Sequence, residues 1–387
     1  MRVLFINTVF GKGSTGRIVQ DIGEILEENG HEYVALYGRN PIAHNSNAVF
    51  IGTSYDAKIH AALSRLTDRC GFYSKTATIK AINYIKKYNP DVIHLHNLHG
   101  YYINIEQLFQ YLRNEYRGKV IWTLHDCWAF TGHCVHYTFV GCAKWKGQCD
   151  NCPEKRRYPA SMLIDNSKAN YLAKKKIFAG LNNLTIVTPS EWLASQVRES
   201  FLNSYPCMVI NNGVDLDVFK PLKKNSKEHY VLNVVDGLDE RKGFSDLVEI
   251  SKQLSGFCNV VIIGVNKDNK NDIPKSIIAL DRTSNQRELA QYYSDAMYLI
   301  NTTYEDTFPT VNIEALACGT PVITYQSGGS AEMIDSKSGY SVNPGDTNKI
   351  ISLIREGALL RKEDCRTQAL KYNKWDKYKQ YLDLYFG

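Results

Sequence analysis

The 387-residue chain is 44% hydrophobic and 22% charged, a globular composition that excludes disordered, collagen-like and coiled-coil classes. It exceeds the roughly 250–300 residues at which one core stops growing, which predicts two domains. The formal charge of +6 is modest, no apolar run approaches the roughly 20 residues that cross a bilayer, and thiols without a secretion signal predict a reducing, cytoplasmic setting.

Short β-branched runs alternate with helical patterns from the start. Strands are predicted at Arg2–Asn7, Tyr33–Tyr37, Asp91–Leu95, Val120–Leu124 and Leu184–Val187. This βα alternation predicts a doubly wound parallel sheet, so ligands are expected outside the carboxyl ends of its strands.

After the first strand, Gly11-Lys12-Gly13-Ser14-Thr15-Gly16-Arg17 matches G-x-G-x-x-G and nearly matches a P-loop. The P-loop reading fails because Arg17-Ile18 stands where Lys and Ser or Thr would reach phosphate and magnesium. The dinucleotide reading lacks an acid after the second strand, where Gly38-Arg39-Asn40 stands, which leaves an NADP oxidoreductase using Arg39 as an alternative. The preferred reading of Gly13, Ser14 and Gly16 is a loop whose backbone N–H groups and helix N-terminus face anionic ligand groups; a flexible glycine turn with a Ser or Thr N-cap is the structural alternative.

His94, His96 and His99 resemble a metal cluster. Strand alternation puts only the first two on one face, which points to core or loop roles. Downstream, Cys134, Cys142, Cys149 and Cys152 lie within nineteen residues. Four thiolates suit a tetrahedral structural zinc that would fold an otherwise coreless insertion, 126–159. Cys127, His133 and His136 are alternative ligands, and free thiols or a redox pair remain open. From Lys144 to Lys176 nine basic residues face three acids. A solvated face explains them, as does a surface meeting anionic lipid or a lipid-diphosphate acceptor at the inner face of a plasma membrane. No stacking platform or motif supports nucleic acid.

A linker is placed near 205–218, around the Asn212-Gly213 turn. A second series of strands follows: Tyr230–Val235, Val260–Gly264, Ser276–Leu280, Met297–Asn301 and Pro321–Thr324. Its most informative segment is Glu305-Asp306-Thr307-Phe308-Pro309-Thr310-Val311-Asn312-Ile313-Glu314, continuing as Ala315-Leu316-Ala317-Cys318-Gly319-Thr320-Pro321-Val322-Ile323. The segment resembles the signature of glycosyltransferase family 4, in which two acids separated by seven residues flank a helix start. Asp306 stands where that family commonly has Glu, with Glu305 beside it as a candidate for the same role. Gly237 to Phe244, containing Arg241-Lys242-Gly243, resembles the family's cationic loop, with the arginine moved next to the lysine. Asn212-Gly213-Val214-Asp215, Thr188-Pro189-Ser190, His125-Asp126 and Gly328-Gly329 with Glu332 occur in the family's order.

The resemblance covers nearly the whole chain and implies a GT-B fold, with two Rossmann-like doubly wound lobes facing a cleft. Residues 1–210 would form the acceptor-side lobe together with a crossing helix at 374–387, and 211–373 the donor lobe. It implies retaining transfer of a sugar from a UDP- or GDP-linked donor to a saccharide or lipid-linked saccharide in surface-polysaccharide biosynthesis, with no catalytic metal. Glu314 would hold the ribose, a job that suits a carboxylate accepting from vicinal hydroxyls. Asp306 or Glu305 would hold the sugar, and Arg241 and Lys242 would balance the departing diphosphate. Thr307, Phe308, Thr310 and Val311 would line the donor. His125 is the first lobe's catalytic candidate, against a structural role at a strand end. A nucleotide-sugar-binding protein without turnover is the alternative from a different class.

Overall fold

The computed structural model describes residues 1–43, 45–226, 228–265, 273–357 and 360–387. The chain divides into two compact units, Met1–Asn211 with Tyr378–Gly387, and Asn212–Lys377.

In the first unit the elements follow as β1 (Arg2–Asn7), α1 (Gly13–Glu28), β2 (Glu32–Tyr37), β3 (Ala48–Phe50), α2 (Ser54–Thr67), α3 (Lys75–Tyr88), β4 (Val92–Leu95), α4 (Ile105–Asn114), β5 (Lys119–Thr123), α5 (Ser167–Phe178), β6 (Leu184–Thr188), α6 (Glu191–Glu199) and β7 (Cys207–Val209). The strands form one parallel sheet in the order β3-β2-β1-β4-β5-β6-β7. Val3 to Ile6 are fully buried because helices cover both faces, which is why the strand reads as a continuous apolar run. The helices are amphipathic, and α1 buries Ile18, Val19, Ile22, Ile25 and Leu26 along one stripe. Thr53, Asn104 and Ser190 cap α2, α4 and α6 by accepting N–H bonds through their side chains.

The second unit continues with β8 (Tyr230–Val234), α7 (Phe244–Gln253), β9 (Asn259–Ile263), β10 (Ile277–Leu280), α8 (Gln286–Asp295), β11 (Leu299–Asn301), α9 (Thr310–Ala317), β12 (Val322–Tyr325), β13 (Gly339–Val342), α10 (Thr347–Glu356), α11 (Lys362–Leu370) and α12 (Lys374–Phe386). Its parallel sheet has the order β10-β9-β8-β11-β12-β13. Helix α12 starts in the second unit, where Lys374 pairs with Asp215 at 3.0 Å. Its last turns belong to the first, where the Tyr381 and Tyr385 hydroxyls bond Thr123 and His94.

Three edge strands escaped the sequence reading: β3, β7 and β13. Each is three or four residues long and half-buried, so none shows the long apolar run of a central strand. The stretch predicted as a linker near 205–218 contains β7. The Ser or Thr cap expected on α1 is also corrected. Lys12 occupies the cap position in extended backbone and makes no side-chain cap bond, while Ser14 and Thr15 already lie in the first turn.

The insertion has its own core. Trp145 stacks on Tyr137, with ring centroids 5.0 Å apart, and packs against Phe130. The Lys174 ammonium lies 3.5 Å from the centroid of the Trp128 ring and donates to the Trp128 and Thr131 carbonyls. The basic stretch is therefore partly spent inside the fold: Lys174 is buried, Lys146 pairs with Glu199, and Lys144 donates to the Asp150 and Asn151 carbonyls. No described helix is long and apolar enough to cross a membrane.

Candidate active site

In each sheet the strand order turns back on itself between two neighbours, β8 and β11 in the second unit and β1 and β4 in the first. Loops diverging from such a point leave a crevice where ligands collect.

In the second unit the loop after β8 makes a short 3-10 turn, Glu240–Lys242, opened by the Asp239 side chain accepting from the Arg241 N–H. Gly243 ends it at φ +72, and a Cβ there would lie 2.3 Å from the Thr302 carbonyl, so this close approach requires glycine. The Tyr304 N–H donates to the Arg241 carbonyl at 2.7 Å and the Thr302 hydroxyl to that of Lys242 at 2.9 Å. Two loops from neighbouring strands are thus zipped together, and each cation meets one of the two acids.

Arg241 Nη1 lies 3.2 Å from Glu305 Oε2, and Lys242 Nζ lies 3.2 Å from Asp306 Oδ2. The two pairs differ in environment. The Glu305 side chain is 3% exposed and the Asp306 side chain 27%. Asp306 is also fixed by its backbone: the Gly329 N–H donates to its carbonyl, and a Cβ on Gly328 would come within 1.8 Å of that oxygen. The Phe308 N–H donates to Asp306 Oδ1. Helix α9 follows, with Thr310, Val311 and Glu314 partly exposed while Asn312, Ile313 and Ala315 to Ala317 are buried. Glu314 lies one turn beyond Thr310 on the same face. Tyr293 OH donates to Glu314 Oε2 at 2.9 Å, fixing one carboxylate oxygen. Thr307 and Phe308 are buried, Phe308 against Tyr372.

The corresponding point of the first unit is built differently. Gly11 and Gly13 adopt φ +66 and +64, and the Gly11 N–H closes onto the Gly16 carbonyl at 3.0 Å. A Cβ on Gly16 would crowd Val9, Phe10 and Gly11, so the loop folds directly over the helix start. Arg39 donates from Nη1 to the Gly100 carbonyl. The Thr8 hydroxyl donates to the His99 carbonyl at 2.7 Å, tying the loops after β1 and β4 together.

Behind these loops the His94 and His96 rings lie tilted with centroids 4.2 Å apart, His96 stacks on His125 at 5.2 Å, and His96 Nδ1 hydrogen-bonds His125 Nε2 at 2.9 Å. Burial drives His94 and His96 well below the ordinary imidazole range and brings His125 down to about 4. All three rings are neutral near pH 7. His99 instead bonds Asp126 at 2.7 Å and Tyr158 at 3.0 Å. Burial alone would raise Asp126, but His99 and the Trp128 N–H outweigh it and hold the carboxyl at about 2.

Of the thiols proposed as zinc ligands, two meet directly. Cys134 and Cys152 hydrogen-bond each other, and Cys149 Sγ accepts from the Gly132 N–H at 3.2 Å. Among the described residues no three His, Cys, Asp or Glu side chains are arranged to hold a metal ion. Aromatic packing gives the insertion a core of its own beside these thiols.

Sequence reasoning missed Tyr293, Thr302 and Ser327, whose hydroxyls bond Glu314, the Lys242 carbonyl and the Thr303 carbonyl. Nothing in their local sequence marks them.

Two consecutive parallel-sheet units, each with loops diverging at its switch point, have the architecture of the GT-B class. The model for "Glycosyltransferase Family 4" matches residues 15–218 and that for "Glycosyl transferases group 1" matches residues 215–375. The chain belongs to glycosyltransferase family 4. It is 23% identical to the putative colanic acid biosynthesis glycosyl transferase WcaC of Escherichia coli K12 over 91% of this chain and 90% of that one. Sucrose-phosphate synthase from Thermosynechococcus elongatus superposes with a TM-score of 0.73 at 18% identity, covering 99% of this chain and 98% of the other. Anabaena HepE in complex with UDP-glucose gives 0.65 at 13% identity, covering 99% of each.

Proposed function

We propose that this glycosyltransferase moves a sugar from a nucleoside-diphosphate donor, UDP- or GDP-linked, to a saccharide or lipid-linked saccharide in surface-polysaccharide biosynthesis, retaining the anomeric configuration. The likeness to WcaC supports the pathway class, and the UDP-glucose bound by HepE supports the donor class. The observation that carries the reading is the half-exposed Lys242 ammonium held beside Asp306 at the switch point of the second unit. A surface-type ion pair contributes only about 0.2–1 kcal/mol, so a diphosphate can take over the lysine at small cost.

In this reading the bond from the anomeric carbon to the phosphate oxygen breaks, the acceptor oxygen bonds to the same face, and its proton passes to the departing phosphate. Lys242 and Arg241 offset the charge that develops on that phosphate, worth about 10²–10³ in turnover for one well-placed donor. Glu314, one oxygen fixed by Tyr293, accepts from the ribose hydroxyls. Asp306 orients the sugar, and Glu305, buried against Arg241, positions that arginine rather than touching substrate. Gly13, Ser14 and Gly16 offer N–H groups to anionic ligand groups, with Thr307, Phe308, Thr310 and Val311 along the donor. His125, neutral, contacts the sugar through its ring or adjacent backbone. The test is turnover across a panel of nucleoside-diphosphate sugars: Lys242→Ala and Glu314→Gln, both folded, are expected to lose transfer, and near-wild-type turnover in either overturns the assignment.

A further inference from the structure

His94 on β4 and His96 just past its end are 0% and 1% exposed, and the proposed transfer chemistry uses neither. Both nitrogens of His94 are spent on its surroundings: Nδ1 hydrogen-bonds the Tyr385 hydroxyl at 2.6 Å and Nε2 the Thr123 hydroxyl at 2.8 Å. Its ring is a fixed wall with no nitrogen left for the His96 ring beside it. His96 is held as firmly by its backbone, whose N–H donates to the Ile6 carbonyl at 2.9 Å and whose carbonyl accepts from the Trp122 indole N–H at 3.0 Å. Phe5 packs against the same ring, with centroids 6.0 Å apart.

One polar contact is left to His96. Its Nδ1 meets His125 Nε2 at 2.9 Å, the two rings lie within 12° of parallel, and its own Nε2 has no hydrogen-bond partner among the described residues. Both rings are neutral, so each carries a proton on one nitrogen and a lone pair on the other. If His125 donated, His96 would carry its proton on Nε2, an N–H buried without an acceptor. If His96 donates, the nitrogen left over holds only a lone pair. Buried N–H groups without an acceptor are the rarer of the two. The proton of His96 therefore lies on Nδ1, and that of His125 on its own Nδ1, on the edge turned from His96.

We propose that His96 is a positioning residue for sugar transfer: it donates from Nδ1 to His125 Nε2 and so holds His125 in one orientation and in the Nδ1–H tautomer, which meets a sugar hydroxyl as a neutral hydrogen-bond donor. His94 backs it, clamped by Thr123 and by Tyr385 of α12. The inference rests on the role given to His125 under the proposed function. A half-buried imidazole without such a partner exchanges tautomers and turns about its side-chain torsions, and misplacement by about 1 Å costs about 10²-fold in rate.

Two measurements on the full-length chain test it. Nitrogen-15 spectra of the histidine rings, with His125 identified by its absence in His125→Asn, are expected to show a protonated Nδ1 and a bare Nε2 on His125, and a mixture of both tautomers in His96→Leu. Hydrolysis of UDP-glucose, UDP-galactose and GDP-mannose measures turnover, and the fastest of them serves for all variants. His96→Leu is expected to lower kcat about 10²-fold at nearly unchanged KM for the sugar nucleotide. His96→Asn, whose amide nitrogen stands where Nδ1 stood, is expected to recover most of that loss, whereas a packing role alone would favour the apolar replacement. A proton on His125 Nε2, wild-type kcat in His96→Leu, or His96→Asn performing no better than His96→Leu overturns the proposal. The spectra need no substrate, so they separate the two readings: wild-type turnover in His125→Asn beside the expected spectra marks failure of the role of His125 in transfer, and the proposal falls with it.

Discussion

The two switch points occupy equivalent positions in their sheets yet are built from opposite materials. The second unit brings two cations and two carboxylates into paired contact on loops locked by backbone hydrogen bonds, with one pair buried and the other accessible. The first gathers imidazoles that burial keeps neutral, packed behind glycine turns. A place where diphosphate charge must be met needs fixed charge held ready. The first unit offers uncharged donors instead, imidazole rings and backbone N–H groups. In the proposed reading the same topology serves two electrostatic purposes, and Glu305 and Asp306 show the contrast in miniature, because adjacent carboxylates differ sharply in burial.

The strongest way to break this contrast is to remove the buried acid. Glu305→Gln strands Arg241 and is expected to cost about 3–5 kcal/mol in denaturant unfolding, whereas Asp306→Asn should leave stability within about 1 kcal/mol while lowering transfer. Equal destabilisation by both would erase the distinction. Lys242→Ala is expected to reduce turnover about 10²–10³-fold, equivalent to roughly 3–4 kcal/mol of transition-state stabilisation, at unchanged melting temperature. In the first unit the sign of the pH dependence follows from depressed imidazoles. An unfolded histidine takes up a proton near pH 6.5 and folded His125 only near about 4, so the unfolded state binds more protons between those values. Stability should fall as pH drops through that window, with His125 alone contributing roughly 3 kcal/mol, and unfolding free energies measured from pH 7 to 4 check it. The smallest effect belongs to the exposed Lys146–Glu199 pair, where Lys146→Ala should change stability by less than about 1 kcal/mol.

The sequence made the central strands legible because burial on both faces turns each into an apolar run, as in Val3 to Ile6. It made α9 and its acids legible because a helix start, a glycine turn and the next strand occupy one short segment. The rest depended on distance in space. That Glu305 is buried and Asp306 is not follows from where Arg241 and Lys242 approach from another strand, more than sixty residues away. Tyr293 reaches Glu314 from α8 with no local signal. The cysteine spacing likewise does not reveal that Phe130, Tyr137 and Trp145 pack together.

Lys174 makes a built-in reporter of that packing. Burial lowers its ammonium to about 8, which makes the amine more nucleophilic than an ordinary lysine, yet the fold encloses it over Trp128. Its neighbours Lys175 and Lys176 are exposed. An amine-acylating reagent should label those two at once and Lys174 only when the insertion opens, so the ratio of labels on one peptide records how often this region breathes.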